Sequence, residues 1–145
     1  MDPQIRLNQL IKVLKDKGHR LTPQRLAVLK ILSRSDDHPS VETIHDMVKA
    51  HFPTTSLATV YNTVNLLKSA GEVLELGFAG MGSRYDGNKP YPHPHAVCTA
   101  CGRIADPDCS SLAGLTQEMS QQTGFSFTHH QVCFFGLCPE CQGKQ

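Results

Sequence analysis

The chain has 145 residues, of which 39% are hydrophobic and 19% are charged, and it contains no tryptophan. That length suits one domain of average size or two small ones, and the composition supports a buried core while excluding bulk disorder. No apolar run approaches the roughly 18 residues that a membrane span needs, so we expect none. The first residues lack the apolar stretch of a secretory signal, so we expect a cytoplasmic protein.

Charge is distributed unevenly along the chain. The net charge is only +1, but residues 1–35 hold eight Lys or Arg and two Asp, a net +6, which leaves −5 for the remainder. A basic amino-terminal region on a nearly neutral chain favours binding to phosphate groups.

The first half of the chain has the apolar periodicity of helices, with a start or stop signal at most predicted ends. The predicted helices cover residues 4–17, 23–34, 41–51 and 57–70. The first takes its apolar stripe from Ile5, Leu7, Leu10, Ile11 and Leu14. Two strands follow, over 72–78 and 83–86, and the glycine-rich AGMG between them is typical of a hairpin. Helices followed by a hairpin predict a winged helix-turn-helix domain over residues 1–86.

The second half differs in character. The segment GNKPYPHPH is rich in proline, and we place a linker at residues 87–94. Beyond the linker, residues 95–145 predict a small α/β domain. Its predicted strands cover 95–98, 103–106 and 126–135, and its predicted helix covers 110–122. The fold class is therefore α+β, with the winged helix first and the small domain second.

All six cysteines lie in this second half, and four of them form two C-x-x-C pairs. The paired residues are Cys98, Cys101, Cys138 and Cys141. Two intervening residues let both sulfurs of a pair face one tetrahedral ion, and four thiolates close its coordination shell, so we expect a structural zinc site. The alternatives are two redox pairs, although no thioredoxin-type βαβ unit precedes them, or four unrelated thiols. We expect Cys109 and Cys133 to be buried as small apolar side chains.

The helix over 57–70 carries small and polar residues in its first turns, as a helix that reads DNA requires. The candidate DNA-binding residues here are Ser56, Thr59, Tyr61, Asn62 and Thr63. The residues expected to face inward are Leu57, Val60, Val64 and Leu67. Asparagine can pair with adenine and tyrosine can reach a phosphate, but many amphipathic helices carry such residues.

Motifs in one fixed order run through nearly the whole chain: GHRLTPQRLAVL, HPSVETI, SLATVYNTVNLLKSAG, SRYD, H-x-H-x-x-C-x-x-C-G and the closing C-x-x-C. From about residue 10 to residue 141 they resemble the ferric-uptake-regulator (Fur) superfamily. The resemblance implies a homodimeric, metal-dependent repressor with a carboxy-terminal dimerisation domain, and no enzyme. It also implies that Arg20 and the helix carrying Tyr61 face double-stranded, palindromic operator DNA.

The resemblance further implies a regulatory metal site. Its candidate ligands are His38, Asp86, His93, His95 and Asp106. Three imidazoles and two carboxylates suit Fe(II) or Mn(II), and the residues of a His-x-His pair on an extended strand face the same way. Taken singly, each has a simpler role, because His38 can cap a helix and the aspartates can form turns. We expect His129 and His130 to lie on a strand without binding a metal.

Two residues resemble the peroxide-sensing branch of the superfamily: Asp106 stands where iron sensors usually carry Glu, and Asn62 where they usually carry Arg. Pro92 and Pro94 occupy positions that hold ligands of an additional metal site in iron sensors, so we expect that site to be absent. The spacing from Asp86 to His93 is one residue longer than in the branch. The resemblance implies that bound Fe(II) reacts with hydrogen peroxide, that the ligand His38 or His93 is oxidised, and that repression ends.

Three other functions are compatible with parts of this pattern. The nearest is a family member that senses iron, zinc or manganese availability without peroxide chemistry. A zinc hydrolase would use His93, His95 and Asp106 around an open metal with Asp86 as base, but it leaves the DNA-reading segment unexplained. A zinc-ribbon interaction module accounts for the four paired cysteines and not for His38.

Overall fold

A computed structural model of the chain describes residues 2–34, 37–78, 82–89, 91, 93–108 and 111–143. The chain forms two compact units, unit 1 (Met1–Pro90) and unit 2 (Tyr91–Gln145), and their boundary falls within the segment expected to be a linker. The turn between the predicted hairpin strands (79–81), Pro92 and Cys109 lie outside the described residues. Among the helices of the described segments, none is long and apolar enough to cross a bilayer.

Among its described residues, unit 1 contains four helices followed by a two-stranded hairpin. The elements are α1 (Pro3–Asp16), α2 (Pro23–Arg34), α3 (Val41–Lys49), α4 (Leu57–Ser69), β1 (Leu74–Phe78) and β2 (Gly82–Asp86). Side-chain hydroxyls start α3 and α4, because Ser40 accepts from the backbone N–H of Thr43 and Ser56 accepts from that of Thr59. The predicted elements of this unit are confirmed to within two residues at each end.

The core of unit 1 lies between the apolar faces of the four helices. Its fully buried residues include Leu10, Leu14, Val28, Leu29, Leu32, Ile44, Val60, Val64 and Leu67. Burying one such side chain stabilises the fold by about 1.5–3 kcal/mol, so this shared core holds the helices in fixed relation. The antiparallel hairpin attaches to it through Tyr85, which is buried, and through the bond from the backbone N–H of Tyr85 to the carbonyl of Pro39.

The first turn of α1 departs from the expected apolar stripe. Ile5 is 57% exposed, whereas Arg6 is only 2% exposed. The Arg6 guanidinium donates to the carbonyl of Gly87 at 2.7 Å and forms an ion pair with Glu72 at 2.8 Å. These partners lie at the open end of the hairpin, where Leu74 pairs with Asp86, so the helix turns its arginine inward and its isoleucine outward.

Residues 87–89, which begin the expected linker, are held in unit 1. Besides the Arg6 bond to Gly87, the side-chain amide of Asn88 donates to the carbonyl of Ser33 at 2.8 Å, and Asn88 is buried. The chain therefore stays ordered immediately after Asp86, the last residue of β2.

The described part of unit 2 contains a small three-stranded sheet and two helices. The elements are β3 (His95–Cys98), β4 (Ile104–Ala105), α5 (Leu112–Thr123), β5 (Cys133–Gly136) and α6 (Pro139–Gln142). The strand order is β4-β3-β5, with β4 antiparallel and β5 parallel to β3. The prediction of a strand over 126–135 was wrong for most of its length, because β3 offers only four residues for pairing and β5 begins at Cys133. The short helix α6 was not predicted.

Candidate metal centres and nucleic-acid interface

The four paired cysteines come together in unit 2. Cys98 ends β3, a tight turn carries Cys101, and α6 carries Cys138 at its cap and Cys141 within it. The turn requires a left-handed residue, which is Gly102 with φ +78°, and its N–H bonds to the carbonyl of Cys98. The four sulfur atoms all lie within 4.8 Å of one another.

The sulfur spacing fits zinc. The Sγ atoms of Cys101 and Cys138 are 3.8 Å apart. Two thiolates bound at about 2.3 Å to one tetrahedral ion lie roughly 3.8 Å apart. The four cysteines therefore fit a structural zinc that joins the end of the chain to β3.

The electrostatics of the cluster favour the same ion. The backbone N–H groups of Cys101 and Cys138 lower the pKa of the Cys98 thiol to about 6, because they stabilise its thiolate. Hydrogen bonding with the sulfurs of Cys138 and Cys98 raises the pKa of Cys141 to about 12. Four adjacent thiols ionise together only when a cation balances them, and zinc supplies that charge.

In unit 1 the structure brings His38 and Asp86 together. Their side chains are 1% and 2% exposed, and Nε2 of His38 lies 3.1 Å from Oδ2 of Asp86. The other carboxylate oxygen, Oδ1, accepts from the backbone N–H groups of Asn88 and Lys89, each at 3.0 Å. The Asp86 carboxylate is thus oriented with Oδ2 towards His38. We call this arrangement the His38–Asp86 pair.

In unit 2 a second cluster forms from His93, His95 and Asp106. The Nε2 atoms of His93 and His95 lie 3.5 Å and 3.4 Å from Oδ1 of Asp106, and the two imidazole centroids are 4.4 Å apart. The Nδ1–H of His93 donates to the carbonyl of Tyr91 at 2.7 Å, which leaves Nε2 as the ring nitrogen that faces Asp106. We call this cluster the His93–His95–Asp106 triad.

The geometry of the pair and of the triad suits metal ligands. Two atoms bound at about 2.1 Å to one ion lie roughly 3.0–3.5 Å apart, which matches the separations of 3.1, 3.4 and 3.5 Å. Imidazole and carboxylate donors without thiolate are typical of Fe(II) and Mn(II) sites. The donor chemistry therefore differs from that of the cysteine cluster.

Other predicted residues of unit 2 lie outside these clusters. Within the described segments, neither His129 nor His130 joins a group of three metal-ligating side chains. Both precede β5, so they do not decorate a strand as expected; His129 is exposed, and His130 lines a small apolar cavity beside α5. Cys133 is half-buried rather than buried, and the side-chain amide of Gln131 donates to its sulfur.

The face of α4 presents polar residues, in the pattern expected for DNA reading. Ser56 and Asn62 are exposed, Tyr61 is 50% exposed and Thr59 is half-buried. Near the amino terminus of α4 lies an open cavity of about 420 Å³. Its lining residues are Arg20, Thr22, Gln24, Arg25, Thr54, Thr55, Ser56 and Thr59. Most of these side chains are hydrogen-bond donors, as phosphate contacts require.

Two assignments on α4 are corrected. Thr63 is only 1% exposed and its hydroxyl donates to the carbonyl of Thr59, so it cannot reach a DNA base from this position. Leu57 is 44% exposed instead of facing inward. It lines a groove beside Tyr61 and Asn62, because the first turn of α4 projects beyond the core.

The arginine of the SRYD motif lies beside the His38–Asp86 pair but was not among the predicted site residues. Arg84 donates from Nε to the carbonyl of His38 and from Nη2 to the carbonyl of Asp37. The strand alternation contained a signal for it, because Arg84 and Asp86 are two residues apart on β2 and share one face.

The profile of the ferric uptake regulator family matches residues 16–135, which is most of the chain. The chain belongs to this family. The described fold agrees with that assignment, since a helical unit ending in a hairpin precedes a small strand-containing unit that holds the four cysteines.

Individual members of the Fur family resemble the chain over almost its full length. The peroxide-responsive repressor PerR of Staphylococcus aureus is 38% identical over 141 residues, covering 95% of this chain and 93% of that protein. The Helicobacter pylori ferric uptake regulator, described with three functional metal-binding sites, superposes with a TM-score of 0.80 at 26% identity, covering 98% and 95% of the two chains. A zinc uptake regulator in complex with zinc and DNA superposes with a TM-score of 0.72 at 25% identity, covering 99% and 97%.

Proposed function

We propose that the protein is a metal-dependent transcriptional repressor that binds double-stranded DNA as a homodimer and responds to hydrogen peroxide. The donor set of three imidazoles and two carboxylates carries this proposal, because it suits a redox-active ion such as Fe(II). The similarity to a peroxide-responsive repressor supports it. A regulator whose zinc site needs four reduced thiols suits the cytoplasm, where we place it.

The regulatory ion, Fe(II) or Mn(II), is bound jointly by the His38–Asp86 pair and the His93–His95–Asp106 triad. The pair belongs to unit 1 and the triad to unit 2. Binding of one shared ion is therefore linked to the arrangement of the two units. Linkage of this kind lets an ion alter DNA affinity without touching DNA. A hundredfold change in affinity needs only about 2.7 kcal/mol of differential stabilisation.

DNA is bound by Arg20 and by the polar face at the start of α4. Tyr61 and Asn62 are exposed on the first turns of that helix, where a recognition helix contacts base edges. Ser56 and Thr59 lie with Arg20 around the open cavity near the helix start and contact phosphates. Net positive charge in the first 35 residues strengthens this binding, which falls as salt rises.

A second copy of the chain covers the apolar surface of unit 2. The helix α5 has no buried residue, and four phenylalanines are 43–65% exposed. They are Phe125, Phe127, Phe134 and Phe135. Exposed aromatic groups of this extent mark interaction surfaces, and a symmetric pair of reading helices suits a palindromic operator.

The peroxide response consists of oxidation of a ligand imidazole, His38 or His93. Bound Fe(II) supplies the chemistry that activates hydrogen peroxide next to these rings. One oxygen atom of the peroxide replaces hydrogen on a ring carbon as a carbonyl, the displaced proton moves to ring nitrogen, and the other oxygen leaves as water. The oxidised ring is a poorer donor, so the ion is lost and the DNA is released.

Peroxide treatment of the iron form, with the manganese form as control, tests this function. In the iron form, we expect a peptide containing His38 or His93 to gain the mass of one oxygen atom, and DNA retardation to be lost. In the manganese form we expect neither change. Oxidation confined to cysteine or methionine would refute the histidine chemistry. DNA binding that follows metal concentration but ignores peroxide would instead identify a sensor of metal availability.

A further inference from the structure

The backbone of His38 adopts a conformation that its side chain disfavours. Its φ is +52°, and among the described non-glycine residues it is alone in having a positive φ. The left-handed region brings Cβ too close to the backbone for most residues, so neighbouring contacts must hold such a residue in place. His38 is also 1% exposed and is half of the His38–Asp86 pair.

Arg84 supplies these contacts from β2. Its Nε donates to the carbonyl of His38 and its Nη2 donates to the carbonyl of Asp37 at 2.5 Å. The backbone N–H of Tyr85 donates to the carbonyl of Pro39 at 3.0 Å. Three successive carbonyls of segment 37–39 are therefore fixed by two adjacent residues of one strand.

Arg6 fixes the chain on the other side of the pair. Its Nε donates to the carbonyl of Gly87, the residue after Asp86, at 2.7 Å. The same guanidinium donates through Nη2 to the carbonyl of Glu72 at 2.6 Å and pairs through Nη1 with the Glu72 carboxylate at 2.8 Å. Gly87 is thereby tied to α1 and to the segment before β1, which keeps Asn88 and Lys89 where their N–H groups meet Oδ1 of Asp86.

We propose that Arg84 and Arg6 are positioning residues of the regulatory metal site, Arg84 through the backbone of His38 and Arg6 through the backbone that follows Asp86. This inference rests on the proposed role of His38 and Asp86 as ligands. The bonds described above run from the two arginines to backbone carbonyls and, for Arg6, also to the Glu72 carboxylate, so each arginine acts by keeping an imidazole and a carboxylate in register before the ion arrives. Preorganised ligands bind tighter because less ordering remains to be done on binding.

Substitution by lysine separates geometry from charge. Lysine keeps the positive charge but loses the planar fork that reaches two acceptors, so a purely electrostatic role survives Arg84→Lys and Arg6→Lys whereas a positioning role does not. Arg25→Lys is the matched control, since Arg25 also donates to a backbone carbonyl of unit 1, but to that of Arg20, which is not beside a proposed metal ligand in the chain.

The experiment is an anaerobic Mn(II) titration of zinc-loaded, full-length protein. We expect the two lysine variants at positions 84 and 6 to bind Mn(II) about tenfold or more weakly, as loss of groups that orient ligands does elsewhere, while Arg25→Lys binds like the wild type. In the manganese-free protein, we expect faster amide hydrogen exchange at Asp37 and His38 in Arg84→Lys and at residues 86–89 in Arg6→Lys. We expect unchanged exchange in the core of α2.

Each contrary result has a distinct meaning. Wild-type affinity in both lysine variants overturns the positioning role. So does faster exchange throughout unit 1, because the arginines would then be general stabilisers. His38→Ala and Asp86→Ala variants that bind Mn(II) like the wild type would overturn the proposed metal site itself, and the positioning role with it.

Discussion

Gly87 lies where any side chain would collide with α2. A Cβ placed on Gly87 would stand 2.7 Å from Cβ of Leu32, 3.1 Å from its carbonyl oxygen and 3.3 Å from its carbonyl carbon. Carbon atoms pack favourably at about 3.5–4.0 Å, so Gly87→Ala forces the backbone of α2 and the segment after β2 apart. These are the Cβ and backbone atoms of a helical residue, which cannot move aside as the end of a flexible side chain can.

The expected cost is that of overpacking a well-packed site, about 1–3 kcal/mol of the free energy of unfolding. For a unit of this size each kcal/mol lowers the melting temperature by about 4–8 °C. The displacement of the backbone at residue 87 also moves the Gly87 carbonyl, which accepts from Arg6, and the N–H groups that orient Asp86. Gly87→Ala should therefore weaken Mn(II) binding as well as lower the stability of unit 1.

Thermal unfolding of zinc-loaded protein, followed by circular dichroism, measures the effect. Most of the described helical residues lie in unit 1, so the helical signal reports mainly on that unit. Gly77→Ala in β1 is the matched control, because a Cβ there meets no atom of the described residues within 4 Å. Equal melting temperatures for Gly87→Ala and Gly77→Ala would refute the reasoning that the close approach to α2 requires glycine.

Three other outcomes are expected. Cys101→Ser should lose the bound zinc measured by metal analysis, whereas Cys133→Ser should retain it, because only the former sulfur belongs to the four-cysteine cluster. Arg20→Ala should lower affinity for all DNA sequences and flatten the salt dependence, whereas Asn62→Ala should mainly relax base preference. Leu29→Ala, at a fully buried position, should lower the free energy of unfolding by about 2–5 kcal/mol in denaturant titrations.

Clear results would contradict each of these expectations. Zinc retained by Cys101→Ser, or lost from Cys133→Ser, would remove the four-thiolate assignment. Equal losses on specific and random DNA from the Arg20 and Asn62 substitutions would remove the division between phosphate and base contacts. A change below about 1 kcal/mol for Leu29→Ala would show that the four-helix core is loosely packed.

The elements of unit 1 could be predicted because each carries its own local signals. Helical periodicity, the capping hydroxyls of Ser40 and Ser56, and the stop at Gly18 depend on residues only a few positions apart. The inward turn of Arg6 could not be predicted in this way, because its partners Glu72 and Gly87 are 66 and 81 residues away. The periodic pattern alone placed Ile5 in the buried stripe. The tertiary contacts of Arg6 instead bury the arginine and leave Ile5 exposed.

The cysteine cluster and the ligand sets differed in how far the sequence could define them. Two C-x-x-C pairs were sufficient to predict the cluster, since the spacing itself imposes the geometry on each pair of sulfurs. The His38–Asp86 pair depends on a contact 48 residues apart, and only the family resemblance pointed to it. Strand alternation places Arg84 on the same face as Asp86, but the left-handed backbone of His38 and the carbonyls that Arg84 binds have no signature in a single sequence. In unit 2, the four-residue length of β3 limited β5, which periodicity within 126–135 could not reveal.

The dependence of DNA binding on the regulatory ion is the central claim, and one titration tests it directly. The probe is a double-stranded fragment selected from random DNA by the Mn(II)-loaded protein, and the measurement is its affinity for zinc-loaded protein with and without Mn(II). We expect affinity to rise about a hundredfold with Mn(II), a difference of about 2.7 kcal/mol, and to stay low for His38→Ala. Equal affinity with and without Mn(II), at unchanged zinc content, would contradict the account.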